Sequence, residues 1–157
     1  MEDGGKANLA GDRNVVTPVL ENMSETNILL SVLGFESSGL AAAHAIHNGL
    51  TVLEGSHHYY HGEKVAFSTL AQLVLENADS REIQEVRAFC ASVGLPVCLA
   101  DIGVHSITRE ELLEVARKAC IPEESIHSMP FPVTPEAVAA AITVADQLGQ
   151  AFKKGKV

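Results

Sequence analysis

The stretch that decides the fold is residues 134–154, with the sequence TPEAVAAAITVADQLGQAFKK. Its first two residues, Thr134 and Pro135, suit the N-cap and the first position of an α-helix. Apolar residues then recur every three or four positions, as the buried face of a helix requires. Two lysines lie at the C-terminal end, where the helix dipole favours positive charge. The pattern therefore predicts a helix over almost the whole stretch.

Similar start and stop signals recur along the chain. Thr108 and Glu111, for example, have the spacing of a capping box, in which each side chain binds an unpaired amide of the other's backbone. The other predicted helices run from a Thr17-Pro18 cap to Leu33, Ser38 to Asn48, Gly62 to Asn77, a cap at Asp79 or Ser80 to Gly94, and Thr108 to about Pro122. The two strand candidates, 51–53 and 95–99, are too short and too few to form a sheet. We expect an all-α bundle of about six helices over residues 15–157, preceded by a polar leader without regular structure at 1–14.

The composition limits the functions that the chain can have. Eleven basic and 20 acidic residues give a net charge of −9, which argues against nucleic-acid binding and against an anionic membrane surface. No apolar run has the length of a membrane-spanning helix, and the first residues do not resemble a signal peptide. The three cysteines show no CxxC spacing. We therefore expect a reduced, cytoplasmic protein.

The histidines are the residues with the clearest chemical potential. Five of the seven fall between residues 44 and 61. His44 and His47 are three residues apart on a predicted helix, and His61 stands at the start of the next one, so the chain could bring them together. Neutral imidazole is a common zinc ligand. Histidine pairs at this spacing mostly bind nothing, however, and a histidine beside glycine at a helix start can act as a partial cap. The zinc-protease motif HExxH is absent.

Two segments resemble the metal-binding segments of bacterial glycerol dehydrogenases, which belong to the iron-containing alcohol dehydrogenase superfamily. They are GFESSGLAAAHAIHNG at 34–49 and HHYYHGEKVAF at 57–67. The resemblance continues through QLVLEN at 72–77, GLP at 94–96, IHSMP at 126–130 and VADQ at 144–147. It covers roughly residues 14–152, and its segments occur in the same order as in that family.

The resemblance implies a two-domain enzyme, of which this chain is the helical, metal-binding part. The family binds NAD in an N-terminal α/β domain and holds a divalent metal, usually zinc, with one aspartate and two histidines. The two histidines match His44 and His61, whereas His47 is expected to face the cleft near substrate or nicotinamide. No dinucleotide-binding segment is present. Asp3 and Asp12 match no family motif, so neither is assigned as the third ligand.

These implications lead to one main expectation and two alternatives. The chain is expected to be a truncated glycerol dehydrogenase, inactive alone, whose complete form oxidises glycerol or a similar small polyol to the ketone with NAD and a bound Zn²⁺, or another divalent metal such as Fe²⁺. It is expected to form homo-oligomers or to associate with a dinucleotide-binding half. The alternatives are a non-catalytic metal-binding or assembly module, and a helical domain whose site has decayed.

Overall fold

The computed structural model describes residues 2–38 and 40–155, which consist of helices and the loops that connect them. Seven α-helices and three short 3-10 helices occur there, with no β-strand, which confirms the all-α prediction. The α-helices are α1 (Glu2–Asp12), α2 (Pro18–Ser38), α3 (Ala42–Leu50), α4 (His61–Leu75), α5 (Ser80–Ser92), α6 (Arg109–Ala119) and α7 (Pro135–Lys153). The described helices do not include one that is both long enough and apolar enough to cross a membrane.

The chain divides into two compact units, residues 1–39 and 40–157. The first unit contains α1 and α2, which pack against each other. The sequence predicts no regular structure in residues 1–14, and this prediction is wrong for Glu2–Asp12. The helix has no apolar period, but Ala7 and Ala10 are buried in it. Small residues of this kind permit close packing of two helices without producing a recognisable hydrophobic stripe.

Helix α2 begins where the sequence predicts and ends later. The backbone amide of Leu20 donates to the Thr17 hydroxyl oxygen (3.3 Å), as expected of an N-cap. The sequence predicts an end at Leu33, just before Gly34, yet α2 continues to Ser38. A glycine inside a helix costs only about 1 kcal/mol relative to alanine, so it stops a helix only where the following residues favour a turn.

The second unit packs α3, α4, α6 and α7 around a common core, with α5 against α4. The largest fully buried side chains are those of Phe67, Ile46, Leu50, Ile102, Ile126, Ile142, Val115 and Val138. Glycine permits two close approaches. A Cβ on Gly49 would lie 2.4 Å from the Val115 carbonyl oxygen, and one on Gly149 would lie 1.8 Å from that of Val97. Helix α3 can therefore sit on α6 only because residue 49 has no side chain.

Candidate metal centre

Helix α3 carries His44 and His47, and its N-terminus is held by two neighbouring segments. The Ala43 amide donates to the Gln72 side-chain oxygen on α4 (2.8 Å), and the Ser125 hydroxyl donates to the Ala41 carbonyl (2.8 Å). Ala41 itself offers no side-chain cap, so these long-range bonds replace one. They fix the end of α3 relative to α4, which carries the third histidine.

His61 is the first residue of α4, and the chain just before it is also fixed. The Tyr60 amide donates to the Glu63 carboxylate (2.7 Å), which closes the first turn of the helix. In the preceding loop, the buried Ser56 hydroxyl donates to the carbonyls of Leu50 and Leu53 at 2.8 and 2.9 Å. The position of the His61 imidazole therefore depends on a loop with its own hydrogen bonds.

The three imidazoles meet where α3 and α4 pack together. The ring centroids of His44 and His61 are 5.4 Å apart, with the ring planes tilted by 43°. The rings of His47 and His61 are nearly perpendicular, with centroids 4.3 Å apart and His47 Nε2 lying 2.7 Å from His61 Nδ1. His47 is only 6% exposed, whereas His44 is half-buried and His61 is exposed.

The surroundings keep two of these rings neutral at physiological pH. Burial, followed by the nearby His61, Lys64 and His44, lowers the pKa of His47 from 6.5 to about 4. Burial and then His61 also lower the pKa of His44. A neutral imidazole has a free lone pair for a metal ion or for an N–H donor, so the site favours both kinds of contact.

The centroid separation of the His44 and His61 rings can be compared with that of two imidazoles bound to one zinc ion. Two imidazoles bonded to zinc at about 2.0–2.1 Å and a tetrahedral angle have centroids about 5 Å apart, close to the observed 5.4 Å. Their nitrogens would then be about 3.4 Å apart. The 2.7 Å between His47 and His61 is shorter and corresponds to a hydrogen bond. Among the side chains that the structure describes, no group of three or more His, Cys, Asp or Glu could hold a metal ion by itself.

The remaining histidines of the cluster do not join this group. His57 is exposed and its Nε2 lies 2.8 Å from the Thr51 carbonyl, while His58 is exposed. The side chain of Asp3 lies outside the described residues. Asp12 belongs to the first compact unit, at the end of α1.

Lys64, near the site, is buried, although a lysine in the first turn of a helix is usually solvated. Its side chain is only 7% exposed and its ammonium donates to the Ser56 carbonyl (3.3 Å). The spacing in the sequence does indicate that Lys64 lies near His61, because residues 61 and 64 are three apart and share one side of α4. That side faces the loop and α3.

Comparison with known proteins places this architecture in one family. No family model matches the chain. The glycerol dehydrogenase of Citrobacter freundii is 57% identical over 150 residues, which are 96% of this chain and 41% of that protein. The crystal structure of a probable glycerol dehydrogenase from Sinorhizobium meliloti superposes with a TM-score of 0.87 at 47% identity, over 96% of this chain and 42% of that one.

The glycerol dehydrogenase of Schizosaccharomyces pombe superposes with a TM-score of 0.89 at 42% identity, over 99% of this chain and 40% of that one. The chain thus spans about two fifths of the length of the relatives that it matches. Both the sequence and the helical fold are shared across nearly all of its residues. The chain therefore belongs to the glycerol dehydrogenase family and corresponds to the C-terminal part of its members.

Proposed function

We propose that this chain contributes His44 and His61 as two ligands of a divalent metal in a polyol dehydrogenase. The observation that carries the proposal is the meeting of these two rings at a separation that suits one shared ion. The lowered pKa of His44 supports it, because a ligand must be neutral to donate its lone pair. The names of the relatives support glycerol, or a similar small polyol, as the substrate.

The metal, when bound, supplies a Lewis acid that lowers the pKa of a substrate hydroxyl. The residues of this chain contribute the two imidazoles and a fixed frame around them. In the overall reaction, glycerol loses a hydride from C2 and a proton from the hydroxyl oxygen, while NAD⁺ becomes NADH and dihydroxyacetone forms. We favour zinc by resemblance, although two imidazoles also suit other divalent ions such as Fe²⁺.

The NAD site is proposed to come from a different part of the enzyme. A dinucleotide site of the family's type needs a strand, a glycine-rich turn and a helix, and residues 2–38 and 40–155 contain no strand. These residues therefore do not fit NAD by themselves, and they need a dinucleotide-binding half as a partner. We propose a cytoplasmic location, because Cys90, Cys98 and Cys120 show neither the CxxC spacing nor the even number that is typical of a disulfide framework.

Zinc titration of the metal-free chain by isothermal calorimetry tests the proposal. We expect one site in the wild-type chain, with affinity reduced at least tenfold in His44→Ala and in His61→Ala. His57→Ala and His58→Ala are matched controls from the same histidine-rich segment, and both should bind like the wild type. Equal binding by all five proteins would contradict the assignment, and circular dichroism should show that each variant is folded.

An activity assay separates the metal site from turnover. We expect the 157-residue chain to show no enzymatic reduction of NAD⁺ with glycerol, because orientation of the nicotinamide supplies several kcal/mol of barrier reduction. Glycerol-dependent NADH formation by the pure chain, lost in His44→Ala, would show that these residues contain more of the active site than we propose.

A non-catalytic assembly module is the second candidate, and one observation favours it. Helix α2 carries exposed apolar side chains, among them Ile28 (69% exposed) and Leu30 (61% exposed). Exposed apolar surface of this kind is typical of contact regions. Analytical ultracentrifugation of the wild type and Ile28→Ser tests whether this surface mediates self-association. Loss of self-association in Ile28→Ser, with unchanged zinc binding, would assign α2 to assembly. A monomeric wild-type chain would remove this support.

A further inference from the structure

The hydrogen bond between His47 and His61 is a contact that the two-histidine metal site does not explain. The family resemblance implies that His47 faces the cleft near substrate or nicotinamide, yet its Nε2 is directed at the neighbouring imidazole. The His47 ring is also buried, so it has little contact with any space that a substrate could enter. A role that acts through His61 accounts for both observations.

We propose that His47 is a positioning residue that accepts a hydrogen bond from Nδ1–H of His61. This bond holds His61 in one tautomer and leaves its Nε2 lone pair free to bind the metal. The inference rests on the proposed function, in which His61 is a ligand. Histidine ligands commonly donate their second ring N–H to a fixed partner, and loss of that partner typically costs 10–100-fold in metal affinity.

The geometry explains why His47 can fix the His61 ring. The two rings stand at 82° to each other, and Nδ1 of His61 faces Nε2 of His47. The His61 ring therefore cannot rotate without breaking this hydrogen bond. His61 is itself exposed at the start of α4, where little else restrains its ring. His47, in contrast, is held within a buried stretch of α3 that includes Ile46 and Gly49.

The other buried nitrogen of His47 supports a role specific to this contact. Nδ1 of His47 is buried without a hydrogen-bond partner. The ring thus keeps one unpaired polar atom in the interior, which lowers the stability of the fold relative to an apolar side chain. A residue that served only to fill space would be better replaced by Phe or Leu, so the contact to His61 is what the imidazole provides.

Two substitutions distinguish positioning from packing. His47→Phe keeps a planar ring and removes the acceptor, whereas His47→Gln removes the ring but its side-chain oxygen can reach the position of Nε2. We expect His47→Phe to bind zinc 10–100-fold more weakly than the wild type in calorimetry. His47→Gln should stay within about threefold of the wild type, since it restores the acceptor. If His47 served only for packing, His47→Phe would bind zinc more tightly than His47→Gln.

A nuclear magnetic resonance measurement tests the hydrogen bond without metal or activity. Two-bond ¹H–¹⁵N spectra of the metal-free chain report which nitrogen of each neutral histidine carries the proton. We expect the proton of His61 on Nδ1 in the wild type and in His47→Gln, and a mixture of tautomers in His47→Phe. A proton on Nε2 of His61 in the wild type would overturn the proposal. So would zinc binding by His47→Phe equal to the wild type. If the wild type binds no zinc, the proposed metal site fails, and the tautomer of His61 still decides whether His47 orients it.

Discussion

The buried imidazole of His47 should make the stability of this chain depend on pH in a defined range. Its pKa is lowered to about 4 in the folded chain by burial and by the nearby His61, Lys64 and His44. In the unfolded chain an ordinary histidine titrates near 6.5. Between these values the unfolded chain binds a proton that the folded chain does not, so acidification favours unfolding.

The size of the effect follows from the two pKa values. The contribution of His47 to the free energy of unfolding is fully present above about pH 6.5 and is progressively lost as the pH falls towards 4. At about pH 5 the linkage relation gives a loss of roughly 2 kcal/mol relative to about pH 7.5. His44 has a lowered pKa as well, so its titration acts in the same direction.

Urea unfolding followed by circular dichroism measures this loss, with a chelator present so that no metal binds. The wild type should lose roughly 2 kcal/mol more between the two pH values than His47→Gln, because the variant lacks the titrating group. The control His105→Gln removes an exposed imidazole instead. Its free energy of unfolding should fall by as much as that of the wild type between the two pH values. An equal loss in His47→Gln and in the wild type would refute the reasoning.

Two further predictions concern the packing and capping of the helices. Gly49→Ala should lower the free energy of unfolding by about 1–3 kcal/mol, because the new Cβ would lie 2.4 Å from the Val115 carbonyl oxygen. In the control Gly62→Ala, the new Cβ has no neighbour within 4 Å, so the change should be neutral or stabilising by up to about 1 kcal/mol. Similar urea midpoints for the two variants would contradict the role of the close approach at Gly49. Thr108→Ala removes the hydroxyl that accepts from the Glu111 amide (3.2 Å) and should cost about 1 kcal/mol, so an unchanged midpoint would show that the cap contributes nothing.

The helices that the sequence predicts best are those with local start signals. Thr108 and Glu111 form the predicted capping box, and Thr134 accepts from the Ala137 amide as an N-cap should. Asp79 likewise accepts from the Arg81 amide at the start of α5. Such bonds join residues two or three positions apart, so their partners can be recognised without knowledge of the fold.

The features that the sequence did not predict depend on residues distant along the chain. Helix α1 buries Ala7 and Ala10, and no local pattern marks either residue as buried. The start of α3 was predicted at Ser38 and lies at Ala42, where the Gln72 side chain binds the Ala43 amide. Long-range contacts of this kind override local propensity.

The site was predicted in part. The spacing and the resemblance point to His44 and His61, which do lie together, while their role as ligands stays a prediction. The contact between His47 and His61 could not be predicted, because helix spacing does not specify which ring nitrogen faces which neighbour. The burial of Lys64 could not be predicted from its position, because a lysine near a helix start is usually solvated.

The most direct test of the metal site is X-ray diffraction from crystals of the zinc-loaded chain, with data collected on both sides of the zinc absorption edge. We predict one strong anomalous peak between α3 and α4, about 2.0–2.1 Å from a ring nitrogen of His44 and from Nε2 of His61. The Nδ1 atom of His61 should remain in contact with His47. A peak at the exposed His57 and His58, with none between His44 and His61, would contradict the account.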